Sequence, residues 1–512
     1  MSRFPKQLTT KTSEAHYLIK VLGVSGVPKL ATFALSLTTI PIVLRNVGAV
    51  QYGTYLYVVA ALAICEVLID FGVSAAAGRR LAELRASYPG ALRSDIFAWA
   101  RLQAVFLAGG FVPMVLVAYL ALSDGRTEIS STLLAVVAAT LGLNVVLNFC
   151  RPCLQSMLAF KSLSVLDTGE SVLRSLTQLA AAQFMASALG LAIAGLATSA
   201  LAAALAVLLL LQGLREQGMP PNDAAPAMSL PDRLRASASF LLLRTSTRLF
   251  QEMPLILIGR MLGPELVGII GAFRRVGEVI TTPYLIIGNA LMVRVNEIRA
   301  RGQEAMASLW EAALRIVSTA VYLAVLCHLA AEALGAALLP GDVEAPQAFR
   351  MLAPLIFTAS LIGVLAPMLD YLGAVARRSA VLTVMALLQV LLLWQSMGAW
   401  GAGGALGAYL VTNLLLAVTY FLLAQHIFFD SCWWMVRREV MGFSMCCVVA
   451  LVLTRLTWLL PFELLQLPIP LSAGWFAIKS IVVFSLLFGL GLRARQDWWR
   501  YYLRPGFLDL TR

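Results

Sequence analysis

Charge is scarce in this chain. Charged residues fill 13% of the 512 positions, hydrophobic residues 60%, and the mean hydropathy is +0.83. A water-soluble domain carries roughly 25% charge. The polar side chains here are too few to coat a set of soluble domains. Cysteine supplies no framework either. Cys65, Cys150, Cys153, Cys327, Cys432, Cys446 and Cys447 all lie in or beside apolar runs, which argues against a disulfide-stapled scaffold. Cys150-Arg-Pro-Cys153 has the CxxC spacing, but no second such pair and no nearby histidine accompany it, so metal or redox chemistry is not expected. No G-x4-G-K-[ST] pattern occurs, so no ATP motor is evident and no cofactor is implied. The first apolar run, 20–44, is longer than the roughly 7–15 residues of a cleavable signal core and reads as a retained span.

What the chain has instead is apolar runs of about 20 residues, the length that crosses a hydrocarbon core as a helix. They fall near 20–44, 54–78, 98–122, 131–157, 164–186, 189–212, 239–261, 269–293, 311–337, 347–371, 379–397, 405–427, 440–460 and 471–492. The expectation is an all-α polytopic membrane protein with about 14 transmembrane helices. An even count puts both termini on one side. Alternate loops and tails on that side hold 25 Lys and Arg, against 5 on the other. The positive-inside rule makes the rich side cytoplasmic. The net charge of +12 is therefore read as loop charge, and no nucleic-acid partner is expected.

A shift of 215 residues lays the chain on itself. Lys29 falls on Arg244, Arg45 on Arg260, Gly48 on Gly263, Gly53 on Gly268, Arg79 on Arg294 and Pro152 on Pro367. Both units start on the same side and hold six spans, so the repeat is parallel. The expected organisation is an N-lobe at 1–212, a proline-rich cytoplasmic linker at 213–238, a C-lobe at 239–427, and two extra spans with a cytoplasmic tail at 428–512.

Nine basic residues fall inside the spans: Lys29, Arg151, Arg174, Arg244, Arg248, Arg274, Arg275, Arg315 and Lys479. A charge at the bilayer centre costs a few kcal/mol even on lenient scales, so such residues face a watery cavity or a partner. Arg244, Arg248 and Glu252 share one helical face. Arg248 can pair with Glu252, and Arg244 has no partner on its own helix. Arg274 can pair with Glu278, leaving Arg275 in excess. Arg174 has Glu170 one turn earlier. The cationic cavity residues expected to hold an anionic head group are Lys29, Arg174, Arg244, Arg248 and Arg275, because guanidinium forks fit phosphate. Arg151, near the end of its span, reads as a snorkelling side chain, and Lys479 also reads as structural. Glu66, Asp70, Glu170, Glu252, Glu278, Glu332 and Asp370 also lie in spans; Asp70, Glu252 and Glu278 are the candidates for ion coupling. His328 reads as a hydrogen-bonded packing residue. Trp433-Trp434 and Trp498-Trp499 read as interface anchors.

Gly48-Ala-Val-Gln-Tyr-Gly-Thr-Tyr55, Ile69-Asp-Phe-Gly-Val-Ser74 and Arg79-Arg-Leu-Ala-Glu83 resemble the start of Wzx-type polysaccharide flippases. These belong to the multidrug/oligosaccharidyl-lipid/polysaccharide exporter superfamily. Leu262-Gly-Pro-Glu-Leu-Val-Gly268 resembles the matching turn of the second lobe. The resemblance implies two six-helix lobes about a central cavity in a bacterial inner membrane. It implies, without catalysis, transfer of undecaprenyl-diphosphate-linked oligosaccharide repeat units of O-antigen or exopolysaccharide type to the outer leaflet. Partners would be a coupling ion, H+ or Na+, and a polysaccharide polymerase with its chain-length regulator. The two extra spans are similar to those of lipid II flippases. Two other readings stand beside this one. A cation-coupled multidrug antiporter could share the fold, although it would favour acidic cavity walls. An integral glycosyltransferase or polymerase would need larger outer loops than Arg45–Gly53, Ser123–Ser130 and Pro340–Pro346.

Overall fold

A computed structural model describes residues 35–428, apart from 37, 124–128, 158, 217–227, 301–316, 318 and 372–373. Every regular element among the described residues is a helix. α1 covers residues 38–47. It is followed by α2 (Ala49–Asp70), α3 (Val73–Ser87), α4 (Leu92–Ser123), α5 (Ser131–Ser156), α6 (Phe160–Phe184) and α7 (Ala188–Glu216). The second half holds α8 (Leu230–Met261), α9 (Pro264–Ala300), α10 (Thr319–Leu329), α11 (Ala331–Leu338), α12 (Ala345–Leu352), α13 (Pro354–Tyr371) and α14 (Val375–Phe428). α10 and α11 meet at a 65° bend. α14 holds two expected spans, joined at Gly401, whose φ of 56° breaks the helical path. The expected spans at 440–460 and 471–492 lie outside the described residues, as do the two tryptophan pairs and most of the first span.

Proline placement explains one departure from the sequence expectation. α8 begins at Leu230, inside the stretch read as linker to 238. Pro231 sits in the first helical turn, where its missing N–H costs nothing and its fixed φ suits the helix. Ser229 caps that turn, its side chain accepting from the Asp232 N–H. A proline read as a linker residue is here a helix-starting residue.

The 215-residue offset has conformational content. Gly48 and Gly263 both take positive φ, 79° and 102°, and make the tight α1–α2 and α8–α9 turns. Gly53 and Gly268 meet their mates' backbones reciprocally. A Cβ on Gly53 would strike the Pro264 carbonyl oxygen; one on Gly268 would strike that of Ala49. Residues 49 and 264 are themselves 215 apart, so the α2–α9 contact follows the repeat's two-fold relation. Between helices in lipid, association rests on close packing rather than on water expulsion, which is why small residues mark the contact. One apolar core joins the two halves here, with Val58 and Leu62 of α2 packing in a cluster with Val267 and Ile270 of α9.

A side chain forced into that contact should act as a wedge. Gly53→Leu is expected to destabilise the fold by about 1–3 kcal/mol, the usual cost of overpacking, and to lower the thermal midpoint in detergent. Gly109→Leu, whose Cβ meets open space, should not. Equal midpoints for the two variants would refute the wedge.

Six described helices are long and apolar enough to cross a membrane, or seven if the bent α10–α11 pair is one span. α6, α8 and α9 are not among them. These helices carry Asp167, Glu170 and Arg174, then Arg244, Arg248 and Glu252, then Arg274, Arg275 and Glu278. Pairing of those charges with one another, around a shared polar space, lets such helices stand among apolar neighbours.

Candidate functional site: an arginine-lined cavity between the halves

Five helices from both halves enclose a cavity of about 410 Å³. α2 supplies Glu66, and α5 supplies Asn144, Asn148 and Arg151. α6 supplies Glu170 and Arg174, α8 supplies Arg248, Gln251 and Glu252, and α9 supplies Arg274, Arg275 and Glu278. Five arginines thus face four glutamates.

The balance by count is nearly neutral, but the depths differ. Glu170 and Glu252 are 10% and 11% exposed, whereas Arg174 and Arg248 are 42% and 36% exposed. Glu66 is buried and accepts a hydrogen bond from Asn148 Nδ2 at 3.0 Å. Glu278, 55% exposed, is the exception and pairs with Arg275 at 3.0 Å. Carboxylates behind and guanidiniums in front give a cationic wall at moderate cost, since each arginine keeps a counter-charge.

Glu170 anchors two arginines from two helices. Arg174 Nη2 lies 2.5 Å from one carboxylate oxygen, and Arg151 Nη2 bonds the other. Arg151 also contacts Asp167 Oδ1 and Asn148 Oδ1, both at 3.3 Å. Glu252 is shared by Arg248 and Arg274, each at 3.6 Å. That distance is an ion pair without a hydrogen bond, so guanidinium donors remain free to turn toward a ligand. Arg274 also donates to the Gln251 carbonyl oxygen at 3.2 Å.

Several residues stand differently from the sequence expectation. Arg274, not Arg275, belongs to the α8 carboxylate, and Glu278 pairs with Arg275 instead of Arg274. Arg151 does not snorkel; it points into the cavity, between two thiols that the CxxC spacing had made conspicuous. Asn144, Asn148 and Arg151 recur at i, i+4 and i+7, and that polar stripe was the signal for it. Arg244 is not in the cavity wall. It forms an ion pair with Asp70 of α2, whose carboxylate is 4% exposed and also accepts from the Ser74 hydroxyl. Lys29, Arg315 and Lys479 lie outside the described residues. Of the ion-coupling candidates, Asp70, Glu252 and Glu278 each pair with arginine. Asp370 pairs with Arg378 and Glu332 with Arg350. His328 Nδ1 lies 3.1 Å from the Arg350 carbonyl oxygen, a packing contact.

A second bridge between the halves lies toward the same, basic end as Asp70–Arg244. Arg233 of α8 meets Asp95 of α4 at 2.8 Å, with the side chains 11% and 9% exposed. Its guanidinium sits 5.4 Å from the Trp99 ring centroid, and Trp99 Nε1 donates to Asp95 at 3.0 Å. The cavity is thus bounded by ion pairs toward one end and by the glycine contact toward the other.

Residues 19–295 match the family model described as "Polysaccharide biosynthesis protein". The chain belongs to that family. Its membership agrees with the likeness to the Wzx-type flippases of the exporter superfamily. A search of curated proteins finds no match. Among solved structures, one similar to this chain is an inward-facing multidrug-resistance MATE transporter of the MOP superfamily, at TM-score 0.63 and 14% identity, covering 78% of this chain and 98% of that one. Another is the lipid II flippase MurJ in an inward closed conformation, at TM-score 0.62 and 10% identity, covering 92% and 98%. A third is an outward-facing multidrug-resistance MATE transporter, at TM-score 0.56 and 14% identity, covering 80% and 95%. At such identities the likeness is one of fold. This polysaccharide biosynthesis family member is a multi-pass helical membrane protein of that fold.

Proposed function

We propose that the chain is a flippase for lipid-linked oligosaccharides, moving undecaprenyl-diphosphate-linked repeat units across the bacterial inner membrane by alternating access. The observation that carries this reading is the wall of five arginines, between the two halves, with most of its carboxylates recessed. A diphosphate is common to every such substrate whatever its sugars. Arginine binds phosphate through two parallel N–H donors, and does so more strongly out of bulk water. Arg151, Arg174, Arg248, Arg274 and Arg275 hold the diphosphate; Arg244 belongs to the closing contact. Asp70, Glu252 and Glu278 are the coupling candidates: protonating one, or binding Na+ beside it, weakens its hold on an arginine and links ion uptake to cavity chemistry.

A cation-coupled drug antiporter is the second reading, favoured by the MATE-like fold. A cationic drug would meet arginines in this cavity, which weighs against it. Cells lacking the protein separate the two. The flippase reading expects lipid-linked repeat units to accumulate, surface polysaccharide to disappear, and resistance to cationic dyes to stay unchanged. Unaltered polysaccharide with heightened dye sensitivity would replace the first reading by the second. Reporter fusions at Pro220 and at the C-terminus should both report cytoplasm; a periplasmic signal at either would refute fourteen spans with cytoplasmic ends.

A further inference from the structure

Beside the central cavity lies a second chamber of about 320 Å³, walled by α1, α2, α5, α6 and α9. The two spaces share Arg151, Glu170, Arg174, Arg275 and Glu278, so those side chains form a common wall. The side chamber's chemistry is different. Its charged residues are Arg151, Arg174 and Arg275 against Asp167, Glu170 and Glu278, which leaves no net charge to attract a second anion. It is rich in hydroxyl, amide and carboxylate groups instead. Asp167, Ser171, Ser175 and Gln178 recur at i, i+4, i+8 and i+11, a polar stripe along one face of α6. Ser36, and Thr39 of α1, line the same space.

Two of these groups have no partner. Ser175, 5% exposed, and Gln178 make no hydrogen bond among the described residues. Their polar atoms stay open to the chamber, and polar groups that line a cavity without protein partners are ones that a ligand can complete. Ile40, Val43 and Val279 give the chamber an apolar side. Mixed donors and acceptors beside an aliphatic wall, with balanced charge, match a neutral pyranose: its hydroxyls donate and accept in the ring plane, and its C–H face is apolar.

We propose that this chamber receives the diphosphate-proximal sugar of the repeat unit, and that Asp167, Ser175 and Gln178 determine which sugar is accepted. The proposal rests on the flippase reading above. A diphosphate held by Arg151, Arg174 and Arg275 stands at the common wall, so the sugar bonded to it enters the side chamber while the arginines keep the phosphates. Asp167 accepts from sugar hydroxyls, and Gln178 supplies both a donor and an acceptor. Specificity then sits in a different part of the wall from affinity for the diphosphate.

The test uses the purified full-length protein in detergent with two probes. One is bare polyprenyl diphosphate. The other is the polyprenyl-diphosphate-linked repeat unit extracted from cells that lack this protein. Gln178→Ala, Ser175→Ala and Asp167→Asn are expected to weaken binding of the glycosylated probe about tenfold, the effect of one or two lost hydrogen bonds. Gln178→Ala and Ser175→Ala should leave binding of the bare diphosphate unchanged. Arg174→Ala should weaken both probes. Gln178 and Ser175 carry no structural hydrogen bond among the described residues, so their variants keep the test valid if Asp167→Asn loosens Arg151. Unchanged preference for the glycosylated probe in the Gln178 and Ser175 variants would overturn the sugar chamber and leave the flippase reading standing. Binding of neither probe by the unaltered protein would overturn both.

Discussion

Replacing Arg274 by alanine should remove most export. Arg274 is only 24% exposed and shares Glu252 with Arg248. Without it the cavity holds four arginines against four glutamates, and the diphosphate would enter with no excess of positive charge. One charge-assisted contact is worth about 1.5–3 kcal/mol, so binding should weaken by roughly 10- to 150-fold. Arg274→Lys should retain part of the activity, since it keeps the charge and loses the planar fork. Arg93, exposed in the first turn of α4, is the control, and its replacement should do little. The measurement is surface polysaccharide at matched protein level, with lipid-linked intermediates quantified in the same cells. Full export by Arg274→Ala, alongside a severe defect in Glu252→Gln, would mean that the arginines only hold helices together and that a carboxylate drives the transport.

Arg274 also marks where sequence reading stops. Features that demand something of a single residue were legible. Gly48 and Gly263 must adopt positive φ, and Gly53 and Gly268 must lack a Cβ, so an offset of 215 could be seen in glycines alone. Apolar run length likewise located most of the described helices. Ion-pair partners were legible only where one helix supplies both, as for Arg248–Glu252 and Arg174–Glu170. Arg274 and Arg275 are neighbours about 100° apart on the helix, and tertiary packing decides which one turns to α8. Arg151 stands near the end of its span, where a cation can usually reach the interface; only the carboxylates of α6 draw it inward. The Arg244–Asp70 partnership joins positions 174 apart, beyond any i, i+4 pattern.

That partnership supports the second large effect. Arg244→Ala should lose export as fully as a cavity variant does, through a different cause. Asp70 is 4% exposed, and the Ser74 hydroxyl alone does not neutralise it. Stripping one member from a fully buried ion pair costs about 3–5 kcal/mol; with Arg244 30% exposed the cost here is smaller, about 1.5–3 kcal/mol. Each 1.4 kcal/mol is a factor of about ten, so the state in which the halves meet at this end would lose roughly one to two orders of magnitude in population. The neighbouring Arg233–Asp95 bridge would remain and could not make up that difference by itself. A transporter cannot cycle if one of its closed states is no longer populated. The reversed pair, Asp70→Arg with Arg244→Asp, should recover a substantial share of export, because it rebuilds the bridge while placing the cation on the other helix. Cysteines at 70 and 244 should cross-link in membranes through a short bifunctional thiol reagent when the halves are closed, the arginine's length being too great for a direct disulfide. Recovery by the reversed pair assigns Arg244 to closure. If the reversed pair stays inactive although the cysteine pair cross-links, the cation is needed on α8 itself, and Arg244 returns to the substrate-holding group in which its mid-span position first placed it.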